Sequence, residues 1–209
     1  MTPHTRLSPR SMRLLLCSDI HCDLAAAHRL VELSAKADVL VVAGDLAVMR
    51  TGLQKTVDVL ASAPCPAVLV AGNGESYEEL ADACASWPEA HVLHGSGCEI
   101  GGVPFWGLGG AVPVTPFGPW SYDLSEAEAI PLLADCPAGG VLVTHSPPHG
   151  HVDLAGGKHL GSRAIAATIE QVWPRLSVCG HIHACWTEES IVGDTRIVNA
   201  GPGGVWAEL

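Results

Sequence analysis

Five short apolar runs, each followed at once by polar side chains, dominate the hydrophobic pattern of the chain. Uninterrupted apolar runs of this length are typical of strands buried on both faces of a parallel sheet. The runs are Leu14–Cys17, Asp38–Ala43, Ala67–Ala71, Gly140–Thr144 and Leu176–Cys179. The segments between them predict helices over residues 24–36, 51–62, 76–86 and 125–133, and another from Gly161-Ser162 to about Val172. Strands that alternate with helices indicate βαβ units and an α/β fold.

The pattern changes in two other parts of the chain. Short apolar pieces at 91–93, 98–100 and 103–106 are separated by glycines and predict shorter strands, with antiparallel pairing as one option. Residues 186–191 and 195–198 flank Gly193-Asp194 and predict a closing hairpin. Residues 199–204 are then expected to end the domain. A loop rich in proline and aromatic residues, 111–124, serves either as a packing plug or as the rim of a ligand site.

Composition narrows the class of protein. The chain has 209 residues, 48% hydrophobic and 16% charged, which is typical of a globular domain. We expect a loose leader over residues 1–12 and a single domain over 13–209. No apolar run approaches the roughly 20 residues that a membrane span needs. A formal net charge of -11 argues against a stable nucleic-acid partner.

Cysteine usage indicates the compartment. The eight cysteines form no Cys-x-x-Cys pair, so a zinc ribbon is not expected. The N-terminus lacks the apolar core of a secretory signal. Reduced thiols and a cytoplasmic location are therefore predicted.

Polar side chains follow each of the five buried strands. The carboxyl ends of parallel strands form the edge at which α/β folds bind ligands. Carboxylate, amide and imidazole groups together suit divalent metals such as Mn, Fe, Zn, Ni or Co. Seven such side chains are too many for one tetrahedral ion and divide naturally between two ions about 3.5–4 Å apart. They are Asp19, His21, Asp45, Asn73, His145, His181 and His183.

Each of these residues also has an ordinary structural explanation. Asp45 could cap a helix, and Asn73, between two glycines, could be a left-handed turn residue. His145 could be a core histidine whose hydrogen bonds are satisfied. Taken singly, each such explanation is the commoner one. Their recurrence at five successive strand ends favours the metal site.

The same blocks, in this order, resemble those of the calcineurin-like metallophosphoesterase superfamily, which run Asp-x-His, Gly-Asp, Gly-Asn-His-(Asp/Glu), His and Gly-His-x-His. The resemblance covers Arg13 to Gly204. It implies a four-layer α/β/β/α sandwich of two mixed sheets, with a dinuclear metal site at the strand ends. Within the superfamily, Thr144–Gly150 resembles a block of the small phosphodiesterases of the metallophosphoesterase-domain (brain 239) group. Asn199–Pro202 and the aromatic loop are similar to that group as well.

The resemblance also implies roles for the ligands. Asp19, His21, Asp45 and His183 would hold the first metal. Asp45 would bridge to the second, which Asn73, His145 and His181 would complete. A hydroxide between the two ions would attack phosphorus in line with the leaving oxygen.

One position departs from the family pattern. Gly74 stands where the family has a histidine that contacts the scissile phosphate and protonates the leaving group. Loss of such an acid removes a factor of about 10²–10⁴ in rate. His149 or His151 could replace it, unless both are solvated loop residues. Otherwise the enzyme needs substrates with acidic leaving groups, or catalysis is weak.

Further residues are candidates for substrate binding. They include Gly74, His149, His151 and Trp120, and His149 joins Asp45 and Asn73 as a candidate catalytic residue. Gly161-Ser162 begins a helix and could hold a substrate phosphate there, or could simply cap the helix.

The predicted function is metal-dependent hydrolysis of a phosphoester, with a small phosphodiester or nucleotide as substrate. A catalytically weakened metal-dependent protein that binds nucleotide or phosphate is the alternative, and Gly74 motivates it. A structural zinc protein that uses scattered cysteines is a third hypothesis. The oligomeric state stays open.

Overall fold

The computed structural model describes residues 11–209, which contain five α-helices and thirteen strands. The strands are β1 Arg13–Cys17, β2 Val39–Ala43, β3 Ala67–Val70, β4 Ala90–Val92, β5 Ser96–Ile100, β6 Val103–Leu108, β7 Val141–Thr144, β8 Leu154–Ala155, β9 Lys158–His159, β10 Leu176–Cys179, β11 Glu189–Val192, β12 Thr195–Asn199 and β13 Val205–Glu208. The helices are α1 Leu24–Ser34, α2 Leu53–Leu60, α3 Tyr77–Ala83, α4 Glu126–Leu133 and α5 Arg163–Val172. A 3₁₀ turn covers His183–Cys185.

Two mixed sheets form the centre of the fold. The first has the order β13-β1-β2-β3-β4, with β13 antiparallel to β1 and the other pairs parallel. The second has the order β11-β12-β10-β7-β6-β5. Its four central strands are parallel, and β11 and β5 pair antiparallel at the edges. Parallel strands joined by helical crossovers follow from the βαβ pattern of the sequence.

Alternation along each strand explains the four layers. In β1, Leu14 and Leu16 face the second sheet, whereas Leu15 and Cys17 face the helices on the outer side. In β7, Val141 and Val143 point inward and Leu142 points outward. Both faces of β1, β2, β3, β7 and β10 are buried, which is why these runs are continuously apolar. The predicted α/β/β/α sandwich of two mixed sheets is confirmed.

Helix caps follow the sequence signals closely. Asp23 Oδ1 accepts a hydrogen bond from the Ala26 amide at the start of α1. Ser76 and Ser125 form capping boxes with Glu79 and Glu128 at the starts of α3 and α4. Short polar side chains stabilise these helix starts by satisfying amides that lack a partner within the helix.

Three local expectations are corrected. Of the short strands, β5 and β6 pair antiparallel as expected, but β4 pairs parallel with β3, because it continues the βαβ progression through α3. The chain does not stop forming sheet at residue 204, since β13 pairs with β1 from Arg13 to Leu16. A two-stranded hairpin, β8–β9, turns at Gly156-Gly157, where the sequence pattern shows no strand.

The expected leader over residues 1–12 falls mostly outside the described residues. Residue 12 itself is ordered against the sheet, because Met12 exchanges two backbone hydrogen bonds with Leu209. Within residues 11–209, none of the helices has the length and apolar character that a bilayer span requires.

Candidate metal centre

The ends of five parallel strands converge between the two sheets. The first sheet supplies Asp19 and His21 after β1, Asp45 after β2 and Asn73 after β3. The second sheet supplies His145 after β7, and His181 and His183 after β10. All seven side chains predicted as metal ligands are thus brought together, although up to 164 positions separate them in the chain.

One group of donors surrounds His21 and His183. Their Nε2 atoms lie 3.2 Å apart. His183 Nε2 is 3.6 Å from Asp19 Oδ1, and His21 Nε2 is 3.5 Å from Asp45 Oδ2. Two donors on one ion, each about 2.0–2.1 Å from it, stand roughly 3.0–3.4 Å apart. These separations fit donors that share one cation to within a few tenths of an ångström.

A second group surrounds Asn73. Its Oδ1 lies 3.2 Å from His145 Nε2 and 3.1 Å from His181 Nδ1. His145 Nε2 is 3.5 Å from Asp45 Oδ1. The two oxygens of Asp45 therefore face one group each, as a bridging carboxylate requires. The donor set of carboxylate, amide and imidazole, with these spacings, fits two divalent cations.

Backbone carbonyls orient the imidazoles. The second ring nitrogen of His145, Nδ1, lies 2.8 Å from the Ala43 carbonyl oxygen. His21 Nδ1 lies 3.2 Å from the Ala47 carbonyl oxygen. A proton on Nδ1 that is donated to a carbonyl leaves Nε2 unprotonated, and Nε2 is the atom that faces the other ligands.

Three groups donate hydrogen bonds to the Asp19 carboxylate. Ser18 Oγ and Trp186 Nε1 both donate to Oδ2, and the His181 backbone amide donates to both oxygens. Burial opposes ionisation, but hydrogen bonding to His183 and Ser18 and the charge of His145 outweigh it. They lower the pKa of Asp19 to about 2. The carboxylate is consequently an anion at all physiological pH values.

The pKa values of the two buried histidines shift in opposite directions. Burial, followed by the nearby charge of His145, lowers the pKa of His181 to about 3, so this imidazole stays neutral. Burial also disfavours a charge on His145, but the carboxylates of Asp45 and Asp19 outweigh it and raise the pKa of His145. The same negative field would favour a cation bound beside His145.

A buried glutamate fixes the loops after β2 and β3. Glu75 accepts hydrogen bonds from the Gly72, Leu46 and Ala47 amides at 2.8, 3.3 and 2.9 Å. Burial and the neighbouring charge of Asp45 raise the pKa of Glu75 to about 7. This side chain holds the two loops in contact and thereby sets the position of Asp45 relative to Asn73.

The backbone at the site is unusual. Asp19, His21, Asp45 and His181 all have positive φ, between 45° and 65°. Left-handed conformations disfavour residues with a side chain and persist where the surrounding structure enforces them, often at functional sites. Asn73 has no positive φ, and the N-cap of α2 is Gly52, so neither the turn explanation for Asn73 nor the cap explanation for Asp45 applies.

An apolar cleft of about 660 Å³ opens over the metal ligands. Its wall is formed by the proline- and aromatic-rich loop, in which Phe117 and Trp120 stack with ring centroids 5.7 Å apart. The loop therefore forms a wall of the cleft, and Trp120 lies in that wall. The residues that line the cleft are His21, Asp45, Asn73, Pro113, Val114, Thr115, Pro116, Phe117, Trp120, Ala155, Leu160, His181, Ile182, His183 and Ala184.

The other candidate substrate residues lie elsewhere. His149 and His151 border a separate small depression beside α5 and do not line the cleft. His149 is 3.4 Å from an Arg163 nitrogen and contacts the His159 ring. That one of them replaces the missing histidine, or acts catalytically, stays a prediction, and neither residue is among those that line the cleft.

The start of α5 is already occupied by an anion of the protein itself. Glu126 accepts hydrogen bonds from the Arg163 and Ala164 amides and from Ser162 Oγ, each at 2.8 Å. The Gly161 amide donates to Asp153. The groups expected to hold a phosphate at Gly161 and Ser162 are thus engaged by carboxylates of the protein, and Ser162 caps the helix.

Gly74 lies beside the bridging carboxylate. Its amide donates to Asp45 Oδ1 at 2.7 Å. A Cβ at this position would lie 2.9 Å from the Ala47 carbonyl oxygen, closer than Cβ atoms come to such atoms. Gly74 therefore positions Asp45 through its backbone, a role that the sequence pattern does not reveal.

Sequence reasoning misses several supporting residues. Trp186 donates to Asp19, and Ser121 accepts from the Asn73 amide group at 3.0 Å. Ser121 and its partner Asp123 lie in the loop that stands out for its prolines and aromatic rings, where small polar residues give no separate signal. Tyr122, in the same loop, turns inward to His94 and not into the cleft.

The chain is similar in sequence or in fold to several known proteins. UPF0046 protein K07C11.7 of Caenorhabditis elegans is 30% identical over 115 residues, which cover 52% of this chain and 36% of that protein. The crystal structure of TT1561 of Thermus thermophilus has the same fold, with a TM-score of 0.74, 19% identity and coverage of 92% and 91% of the two chains. A dimetal phosphatase from Danio rerio, LOC 393393, has a TM-score of 0.60 at 13% identity, covering 91% and 88%.

These structural similarities, at under 25% identity, establish the fold alone. The matched segment is about a third of the length of the curated worm relative, 36%. A family model for the calcineurin-like phosphoesterase superfamily domain matches residues 12–208, nearly all of this chain. The chain belongs to the calcineurin-like phosphoesterase superfamily.

Proposed function

We propose that this protein hydrolyses a phosphoester in a metal-dependent reaction, and that its substrate is a small phosphodiester or nucleotide. The observation that carries the proposal is the pair of donor groups that share Asp45 at the floor of a cleft. Membership of the phosphoesterase superfamily supports the reaction class. The chain's own geometry supports the assignment of residues.

Two divalent ions held by these groups would lower the pKa of a bound water and neutralise charge on the phosphoryl oxygens. Manganese, iron, zinc, nickel and cobalt all suit the donor set. The chain positions the donors before any substrate arrives, since backbone carbonyls fix His21 and His145 and hydrogen bonds fix Asp19. Such preorganisation avoids reorganisation during the reaction.

The lining of the cleft favours a diester over a highly charged substrate. No lysine or arginine is among the described residues that line it, so a phosphoryl group has only the metal centre and its imidazoles to offset its charge. A diester carries one negative charge and needs less compensation than a dianionic monoester. The stacked Phe117 and Trp120 rings offer a flat apolar surface to a planar leaving group or nucleobase.

Turnover assays test the proposal directly. Aryl phosphomonoesters and phosphodiesters would be offered with Mn, Ni, Zn or Mg ions, and Asp45→Ala would serve as the inactive reference. We expect metal-dependent hydrolysis of the diester that Asp45→Ala abolishes. If no metal gives turnover that depends on Asp45, the hydrolase proposal fails.

A metal-dependent protein that binds nucleotide or phosphate is the second candidate, because Gly74 supplies no imidazole. Within residues 11–209, the histidines that line the cleft are all predicted metal ligands. Calorimetry with a nucleoside monophosphate and Mn²⁺ would separate the candidates. Tight binding that needs the metal, without turnover of any ester, would favour the binding protein.

A structural zinc site made of cysteines has little support. The groups of potential metal ligands in residues 11–209 are Asp19, His21 and His183, and Asp19, Asp45 and His145, without cysteine. Metal analysis of His181→Ala would test the point, because a metal held by cysteines would survive this change.

We further propose that the protein acts on a small-molecule partner. We also propose that it is located in the cytoplasm. All eight cysteines are free thiols in the structure, and most of them are buried. Free thiols persist in a reducing compartment.

A further inference from the structure

The metal ligand Asn73 is held by a chain of hydrogen bonds that starts in the wall of the cleft. Asn73 Nδ2 donates to Ser121 Oγ at 3.0 Å, and Ser121 Oγ donates to Asp123 Oδ1 at 2.5 Å. Asn73 is 3% exposed, so its amide group has little access to water as another partner. Nothing in the ligand motifs points to Ser121 or Asp123.

Asp123 determines which group is the donor and which the acceptor in each of these hydrogen bonds. An amide group can present either its oxygen or its nitrogen, and a hydroxyl can donate or accept. Ser121 alone would therefore tolerate both orientations of Asn73. A carboxylate only accepts, so Asp123 takes the proton of Ser121 and leaves a lone pair of Ser121 for the Asn73 nitrogen. Asn73 Oδ1 is then turned towards His145 and His181.

The same carboxylate anchors the wall of the cleft. Asp123 Oδ2 accepts from both the amide and the hydroxyl of Thr115, each at 2.8 Å, and Thr115 lines the cleft. Thr115 Oγ1 is also 3.1 Å from Ser121 Oγ. The Thr115 hydroxyl donates its proton to Asp123 and so does not donate to Ser121. The lone pair of Ser121 Oγ that accepts from the Asn73 nitrogen is therefore unaffected by this contact. The Tyr122 amide donates to the Asn73 carbonyl oxygen at 3.0 Å and ties the two segments once more.

We propose that Ser121 and Asp123 are positioning residues, which orient the Asn73 oxygen towards the second metal position and couple that position to the wall of the substrate cleft. The inference rests on the proposed metal-dependent function. Charge-assisted hydrogen bonds of this kind are short and strong, and the partners behind metal ligands commonly contribute about 10–100-fold to metal affinity.

The test is Mn²⁺ binding without substrate, by calorimetry and by electron paramagnetic resonance of the loaded protein. Asp123→Asn nearly keeps the shape of the side chain, but its amide can donate to Ser121 Oγ. Ser121 can then donate to Asn73, and the Asn73 amide group is free to rotate by 180°. We expect Asp123→Asn and Ser121→Ala to weaken the second Mn²⁺ by about 10–100-fold and leave the first within about 3-fold. The spin-coupled two-ion signal should give way to that of a single ion.

Controls separate positioning from folding. Ser121→Thr keeps the hydroxyl and should bind two ions, whereas Ser121→Ala should not. Thermal melts of the metal-free variants should agree with wild type within a few degrees. Two Mn²⁺ ions bound with wild-type affinities by Asp123→Asn would overturn the inference. If wild type binds no Mn²⁺ at all, the proposed function fails instead.

Discussion

Single residues set the geometry of the metal centre through their lack of bulk. Gly44, Gly72 and Gly180 each precede a predicted ligand, and each lies against another part of the site. A Cβ on Gly72 would lie 2.0 Å from Asp45 Oδ1, and one on Gly180 would lie 2.5 Å from Asp19 Oδ2. The glycines of the motifs therefore let the strand-end loops approach closely enough for their donors to share an ion.

Replacing Gly72 by alanine tests this packing. We expect Gly72→Ala to displace the Asp45 carboxylate, lower metal affinity by at least about 10-fold and cost about 1–3 kcal/mol of stability. Gly203→Ala is the matched control, because a Cβ there meets nothing within 4 Å. Calorimetric Mn²⁺ titrations and thermal melts of the two variants measure the difference. Equal Mn²⁺ affinities would contradict the packing role.

Gly74 combines a steric and a chemical question. A Cβ there meets the Ala47 carbonyl oxygen at 2.9 Å, so any side chain forces a local shift. Gly74→Ala measures that steric cost, which we expect to be about 1–3 kcal/mol. Gly74→His carries the same cost and adds an imidazole. For esters with poor leaving groups, Gly74→His should exceed Gly74→Ala in kcat by up to about 10²-fold. Equal kcat values would argue against the missing-acid explanation.

At the level of secondary-structure elements, a carboxylate of the protein, that of Glu126, binds the N-terminus of α5. Glu126 bridges from α4 to two amides and the Ser162 hydroxyl of α5. A carboxylate at a helix N-terminus is favoured by the unpaired amides and the helix dipole. The contact joins the two helices that cover the second sheet, so it stabilises the fold and uses the amides that a substrate phosphate would need.

Glu126→Gln is expected to destabilise this helix pair. The amide of glutamine keeps one acceptor and loses the charge, which should cost about 1–3 kcal/mol of unfolding free energy. Urea unfolding measures the loss. KM for phosphoester substrates should stay unchanged, because Glu126 lies outside the cleft. A raised KM would support the hypothesis of a phosphate site at Ser162.

The loop before α5 depends on the buried Asp153. Its Oδ2 accepts from the Gly150 and Gly161 amides at 3.0 and 2.9 Å, and its Oδ1 pairs with His159. Burial opposes ionisation, but these hydrogen bonds outweigh it and lower the pKa of Asp153. A carboxylate with a lowered pKa stabilises the fold above its unfolded pKa, near 3.8, and loses this effect as the pH falls through the folded value.

Asp153→Asn should therefore show a pH-dependent defect. At pH 7 we expect a loss of about 1–3 kcal/mol, because one carboxylate acceptor and its charge are removed. The difference from wild type should shrink as the pH falls below about 4. Chemical unfolding at a series of pH values provides the measurement. A difference that stays constant down to acid pH would rule out the titration of Asp153 as its cause.

For the molecule as a whole, the candidate metal centre lies where the two sheets meet. Asp19, Asp45 and Asn73 come from the first sheet, and His145 and His181 come from the second. The sheets otherwise meet through an apolar layer that includes Leu16, Val41 and Val143. Ions bound at the shared edge would add a polar connection to this apolar contact.

Metal removal should therefore lower global stability. A ligand at about 100 times its Kd stabilises the folded state by about 2.7 kcal/mol. We expect Tm to fall by several degrees when Mn²⁺ is exchanged for a chelator, and Asp45→Ala to remove the response. Differential scanning calorimetry measures both proteins side by side. A Tm that ignores Mn²⁺ in wild type would show that the ions do not bind the folded chain.

The order of elements and the positions of the predicted ligands can be read from the amino-acid sequence. Continuous apolar runs such as Leu14–Cys17 predict strands buried on both faces, and their parallel order places Asp19, Asp45 and His181 at one edge. These features are local in the chain and repeat, so a single sequence displays them. The fold that the motifs imply is the one observed.

The surroundings of the ligands, in contrast, become visible only in the folded chain. The partner of Ser162 is Glu126, 36 positions away, and the partner of Asn73 is Ser121, 48 positions away. His149 follows a predicted ligand by four residues and still lies outside the cleft. Such hydrogen bonds, and the position of a residue inside or outside the cleft, depend on distances between segments that are remote in sequence. No periodicity or motif encodes them, because the same short polar residues serve as caps, turns and ligand supports alike.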